Sequence, residues 1–236
     1  MKYLLNVDTG MNATIKPTGD SFNCTIILSN THRRVRAVTL KNAQIPLGFY
    51  NVRAPYNTIV INGVSYTMPP GNYSGTQFLN ALNSTVTSAV GTFSIAAANN
   101  LYTFVPATGS ATITTNLTNP PNLGNLLGFS NGVTGTSITA TNSYINNFDT
   151  YLNIWIQNLA TSSQETNQCT FKIPITVSQG AVLQWAENAQ NECRVNVTDS
   201  SAIVDRLIVT VTDRYGQLIN NNGIDWSMTL EIESDT

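Results

Sequence analysis

Apolar and polar residues alternate with period two through most of this chain. Phe22, Cys24, Ile26 and Leu28 fall on one side of an extended segment, with Asn23, Thr25, Ile27 and Ser29 on the other, the mark of a strand with one face in a core. Leu152, Ile154 and Ile156 alternate with Asn153, Trp155 and Gln157. Phe171, Ile173 and Ile175 do the same across Pro174, as do Leu207, Val209 and Val211 ahead of a turn at residues 213–217. The last strand is the cleanest, with Trp226, Met228, Leu230 and Ile232 opposite Ser227, Thr229, Glu231 and Glu233. A long extended run from Arg34 to Ile45 ends at Pro46 and Gly48, because proline cannot donate to a ladder.

Between Tyr56 and Val105 the period changes twice. Residues 58–67 read as a hairpin around Asn62-Gly63, a pair that supplies the positive φ angles of a tight turn. Ser74-Gly-Thr-Gln77 reads as a capping box, with Tyr73 and Phe78 at staple spacing. Leu82, Val86, Ala89 and Val90 then recur at helical intervals, an apolar stripe expected to lie on the sheet made by this hairpin and the next. That second hairpin runs from Phe93 to Val105 and turns at Asn99-Asn100. Residues 116–147 read as surface loop, except for an apolar island at Leu123–Phe129 that tucks against this unit. A short helical turn is expected near Ala181 to Ala189.

These elements predict a mainly β chain: an antiparallel single jelly-roll sandwich with an inserted hairpin-helix-hairpin subdomain. The expected organisation is a core of residues 1–55 and 131–236, with residues 56–130 as the insert and its following loop.

Composition narrows the function. The 236 residues are 42% hydrophobic but only 10% charged, with net charge -2. A chain this apolar and patterned folds, and a neutral polar surface is poorly protected against association, which points to an assembly. Nucleic acid is excluded as a partner, since Arg33, Arg34 and Arg36 form the one local basic cluster. The segment from Met1 to Asp8 is too short an apolar run for a signal peptide, and no stretch has the length to span a bilayer.

Candidate chemistry is sparse. His32, the single histidine, lies in Ser29-Asn-Thr-His-Arg-Arg34, where a solvated loop position outweighs a catalytic triad. The carboxylate pairs Asp199/Asp205, Asp213/Asp225 and Glu231/Glu233 offer acid and base candidates for a hydrolase, and Asp199, Asp205 and Asp213 offer calcium ligands without EF-hand spacing. Gly124-Asn-Leu-Leu-Gly128 lacks the lysine of a phosphate loop. Cys24, Cys169 and Cys193 read as reduced thiols, with pairing of Cys169 and Cys193 left open should their strands be neighbours. Trp155 and Trp185 are either sugar-stacking platforms, subunit contacts or packed residues. No catalytic, cofactor or metal site is assigned.

Three segments resemble one family. Asn42-Ala-Gln-Ile-Pro-Leu-Gly-Phe-Tyr-Asn-Val52, the stretch from Thr67 through Leu126-Leu-Gly-Phe129, and residues 207–216 with 225–231 are similar to penton-type, vertex-forming capsid proteins of icosahedral double-stranded DNA viruses, the nucleocytoplasmic large viruses and their virophage-like relatives. Together they cover about two fifths of the chain. The resemblance implies a non-enzymatic virion protein without cofactors, a homopentamer at the fivefold vertex in contact with the major capsid protein and with minor capsid or spike proteins. It also implies an insert that projects outward as a knob. A glycan- or receptor-binding module of a spike or fibre is the alternative.

Overall fold

The computed structural model describes residues 1–12, 14–116, 120–143, 149–159, 169–188, 192–199 and 202–235. In chain order the elements are β1 (Lys2–Asp8), β2 (Thr14–Ile15), β3 (Asn23–Arg33), β4 (Val35–Pro46), β5 (Thr58–Ile61), β6 (Val64–Thr67), α1 (Gly75–Val86), β7 (Gly91–Ile95), β8 (Tyr102–Pro106) and β9 (Ala111–Thr114). They continue with α2 (Leu123–Leu126), β10 (Val133–Gly135), β11 (Ile138–Thr139), β12 (Tyr151–Ile156), β13 (Phe171–Pro174), β14 (Val182–Ala186), β15 (Cys193–Asn196), β16 (Ile203–Thr212) and β17 (Ser227–Ser234). Two compact units result, Met1–Phe49 with Asp149–Thr236, and Tyr50–Phe148.

The first unit is a jelly roll. One sheet runs β1-β17-β4-β14, with β15 continuing β14's side of β4, and the other runs β13-β12-β16-β3-β2. Every pairing is antiparallel. With β14 and β15 taken as one strand and β2 as an added edge, eight framework strands in chain order pair as 1-8-3-6 and 5-4-7-2, the interlocked Greek keys of this fold. The expected period-two faces point inward: Phe22, Cys24, Ile26, Leu152, Ile154, Ile156, Leu207, Val209, Val211, Met228, Leu230 and Ile232 share one buried cluster. Pro174 ends an edge strand, the place where its missing donor costs no ladder bond.

Three register shifts keep that core continuous. On β4 the buried residues are Val38 and Leu40, then Ala43 and Ile45, so the alternation slips by one. The register against β17 jumps from Asn42 to Leu40 and leaves Lys41 unopposed. A second jump leaves Arg36 unopposed, and a third shift, between Val204 and Arg206, passes over Asp205 on β16 and over Leu28 to Thr31 on β3. A bulge re-aims the extra residue and lets both flanking runs stay inward. Both extra residues of β4 are charged and ion-paired, Lys41 with Glu187 and Arg36 with Asp235.

Two expectations for this unit change. Residues 182–186 form strand β14 with Leu183 and Trp185 buried, not a helical turn; pairing to Gln44 and its neighbours on β4 overrides local propensity. His32 lies within β3, opposite Val204, rather than in a loop.

The second unit has its own core. Asn62 and Gly63 take φ 52° and 77° and join β5 to β6, and Asn100, at φ 54°, closes the β7-β8 turn. The capping box is formed, with Gln77 N–H donating to Ser74 Oγ and Ser74 N–H to Gln77 Oε1. Phe78, Leu82 and Val86 bury the stripe of α1. The helix stops at Val86, where Thr87 turns to φ 66°, so Ala89 is exposed beyond it.

The two hairpins do not share a sheet: β5-β6 belongs to β10-β9-β5-β6 and β7-β8 to β11-β8-β7. Their added strands come partly from residues 133–139, expected as loop, which is why the unit extends to Phe148. The island at Leu123–Phe129 buries Leu123, Leu127 and Phe129 in this core. Gly128 sits at φ 85° with a would-be Cβ 2.1 Å from the Asn142 carbonyl oxygen, so no other residue fits there.

Candidate functional site

The carboxylates of Glu231, Glu233, Asp225, Asp205 and Asp213 are each tied to a structural partner of their own. Glu231 lies 2.7 Å from Lys2 and 3.9 Å from Lys41, and Lys41 reaches Glu187 at 2.6 Å. The Lys2 hydrogen bond, with Lys41 beside it, holds Glu231 below the usual carboxylate range, while the bond to Glu187 raises Lys41. Glu233 pairs with Arg194 at 3.1 Å. Asp225 accepts from Lys16 and from Thr9 Oγ1, and the Lys16 bond lowers it. Asp205 is lowered by its neighbour Arg206.

Asp213 is fully buried and turns inward on its own loop, accepting from the N–H groups of Tyr215 (2.8 Å) and Gln217 (3.0 Å). Asp199 stands in the loop before β16, its carbonyl accepting from Ala202 N–H. The pairs seen in sequence therefore do not converge into a two-carboxylate centre. No group of three or more His, Cys, Asp or Glu side chains gathers among the described residues.

His32 packs its ring 5.2 Å from that of Tyr3. Cys24, Cys169 and Cys193 are free thiols, so the Cys169–Cys193 bridge is not formed. Burial pushes Cys24 up to about 11 and raises Cys169 and Cys193, which leaves none of them a thiolate nucleophile near neutrality. Trp185, at 8% exposure, belongs to the jelly-roll core and is no stacking platform. Trp155 is half-buried on the outer side of β12 and donates Nε1–H to Thr212 Oγ1 at 3.0 Å. Of the arginine cluster, Arg36 is paired with Asp235 and Arg34 takes φ 53° at the crossing from one sheet to the other.

What separates the surfaces of this sandwich is the outward side of each sheet. The outer side of β1-β17-β4-β14 carries Leu4, Glu231, Thr39 and Arg194 in one row and Lys2, Glu233, Ala37 and Asn196 in the next. Its cations and carboxylates neutralise one another through the ion pairs above, at the solvated margins where such pairs stay.

The outer side of β13-β12-β16-β3-β2 is different. Rows of Trp155, Thr210 and Asn23, then Ile208, Thr25 and Ile15, cross it, and Ile27 lies opposite Arg206 in the row beyond. Ile15 is 59% and Ile27 37% exposed. Lys172, stacked over the Tyr151 ring at 3.7 Å, marks one end of this block and the Asp205–Arg206 pair the other. Between them no described side chain on the face is charged.

Comparison with known proteins adds a likeness of structure alone. No family model matches the chain and no curated protein matches it. Among solved structures, the chain is similar to the mavirus penton protein, known from a crystal structure of its selenomethionine form, with 9% identity, all of both chains covered and a TM-score of 0.47. The jelly-roll assignment stands on the strand order given above and not on that likeness.

Of the surface isoleucines Ile15, Ile27 and Ile208, the alternation places only Ile27 on the polar side of its strand and does not single out the other two. The trace they left is a break in alternation: Ile27 stands among Asn23, Thr25 and Ser29, and Ile208 makes Leu207-Ile-Val209 continuously apolar. A strand with one solvated face does not need such residues on its polar side. No helix among the described residues is long and apolar enough to cross a membrane.

Proposed function

We propose that this chain is a structural protein of a viral capsid, a penton that forms a homopentamer and closes the fivefold vertices of an icosahedral shell. The observation that carries this is a single jelly roll interrupted, between its third and fourth framework strands, by a unit of 99 residues with a separate core. A single roll is one wedge of a ring: a head-to-tail contact that closes generates a cyclic oligomer without further parts. The insert, anchored at both ends on the sandwich by chain continuity, serves as the outward knob. The sandwich contacts the surrounding major capsid protein, and the protein resides in the virion.

The sequence resemblance in the Ile-Pro strand end, the helix-and-hairpin unit and the closing strand pair supports the same assignment. Localisation in purified particles tests it. Density or gold label at the vertices, at five copies per vertex, is the expected result; particles that lack the chain, or carry it in proportion to the hexavalent capsomers, would refute it.

A further inference from the structure

We infer that the outer face of the β13-β12-β16-β3-β2 sheet is the surface on which a second copy of this chain seats, head to tail, with Trp155 and Ile208 at its centre. The inference rests on the ring proposed above and names the face the ring would use.

Desolvation decides between the two outer faces. Covering the β1-β17-β4-β14 side would strip water from Lys2, Lys41, Arg194 and their carboxylates, and bringing such pairs out of water costs as much as their attraction returns. The block around Trp155 and Ile208 holds threonine, asparagine and isoleucine instead. Trp155 has its one polar atom already satisfied by Thr212, so covering its ring leaves no orphan donor.

The block is large enough for the centre of a contact. Between the Lys172 row and Arg206, β16 runs six residues, but β12 flanks it only over Asn153 to Ile156, β3 over Asn23 to Ile27 and β2 over two residues. At ~3.3 Å per residue and ~4.8 Å per strand this covers about 250 Å² in projection, about a third of the ~800 Å² that each partner buries in a stable interface. The remainder falls on the charged margins, Lys172 and the Asp205–Arg206 pair, which gives the apolar centre and polar rim of a protein–protein contact.

A duplex would need free cations, yet Arg206 is spent on Asp205 and Lys172 sits on Tyr151. A bilayer surface would need a larger apolar face with basic margins. A neutral face of this size fits another neutral protein surface, and in a ring the nearest one belongs to the next copy, which presents a different side of itself.

Sedimentation velocity of the full chain tests this, with Ile208→Lys, Ile15→Lys and, on the opposite face, Leu4→Lys. Ile15 lies on a two-residue edge strand and Leu4 is 70% exposed, so both variants keep the core; thermal melts confirm it. The expected result is a ring for the natural chain, association weakened tenfold or more by Ile208→Lys and by Ile15→Lys, and no change with Leu4→Lys. A ring that survives both face variants overturns the face and leaves the vertex role standing. A chain that stays monomeric, or that binds DNA or vesicles without self-associating, overturns the inference, and particle localisation then judges the vertex role separately. A dimer dissolved by the same two variants refutes head-to-tail seating.

Discussion

The two sheets of the jelly roll present nearly the same inward surface and opposite outward ones. Inside, both supply interlocking Ile, Leu, Val and Phe side chains to one cluster. Outside, the β1-β17-β4-β14 side keeps its charges paired in water, while on the β13-β12-β16-β3-β2 side the described side chains between Lys172 and the Asp205–Arg206 pair are Thr, Asn and Ile around one Trp. Folding the monomer does not require that difference. On the seating inferred above it reflects what each face meets afterwards, solvent on one side and a second copy on the other.

Paired substitutions separate the inside of the sandwich from its two outsides. The largest effect belongs to Trp185→Ala, which empties a core position and lowers stability by about 3–5 kcal/mol in chemical denaturation. Trp155→Ala, the same change on the outer side of β12, costs the isolated chain much less, since the indole is only half-buried. In return it weakens association by about 2 kcal/mol, about thirtyfold, as a central interface tryptophan does. Equal losses of monomer stability from the two variants would erase the distinction between inside and outside.

Charge removal on the other face is milder. Lys41→Met deletes the links to Glu187 and Glu231 and lowers stability by about 0.5–1 kcal/mol, a loss that shrinks in ~1 M salt and leaves association untouched. A comparable loss of association would place that face in the interface as well.

The smallest effect is in pH. Glu231 and Asp225 titrate below the ordinary carboxylate range because Lys2 and Lys16 bind their charged forms. Their contribution is fully present above the unfolded pKa of about 4 and is lost as pH falls through the lower folded values. Denaturation midpoints should hold from about pH 7 to 5 and drop below about 4, less so in Lys2→Met, whereas association through the uncharged block should not follow these two groups.

The jelly-roll strands were legible because a half-buried strand writes its burial as period two, and β3, β12 and β17 do so over five or more residues. The Ser74 capping box and the Asn62-Gly63 turn were legible for a local reason, since their hydrogen bonds join residues within a few positions. β14 was not: Val182-Leu-Gln-Trp-Ala186 follows Gly180 and precedes an Ala- and Asn-rich stretch, and its pairing with β4 lies far away in sequence. The division of the insert into two sheets was also hidden, because β9, β10 and β11 have four, three and two residues, too few to show a period.

The bulges were readable in principle. Val38 and Leu40 followed by Ala43 and Ile45 already place an extra residue near Lys41. The outer apolar block was the part that sequence could not assemble, since Trp155, Ile208 and Ile15 meet only through the registers of three strand pairs. His32 and the carboxylates drew attention as types of residue, and their partners in space, Tyr3 and the lysines, reduced them to structure.

Oxidative footprinting of side chains, compared between assembled and diluted, dissociated protein, addresses the difference between the faces most directly. Labelling of Trp155 should fall several-fold on assembly, while Met1, 62% exposed at the end of β1, should label equally in both states. Undiminished labelling of Trp155 in the assembled protein, or protection of Met1 in its place, would contradict the account.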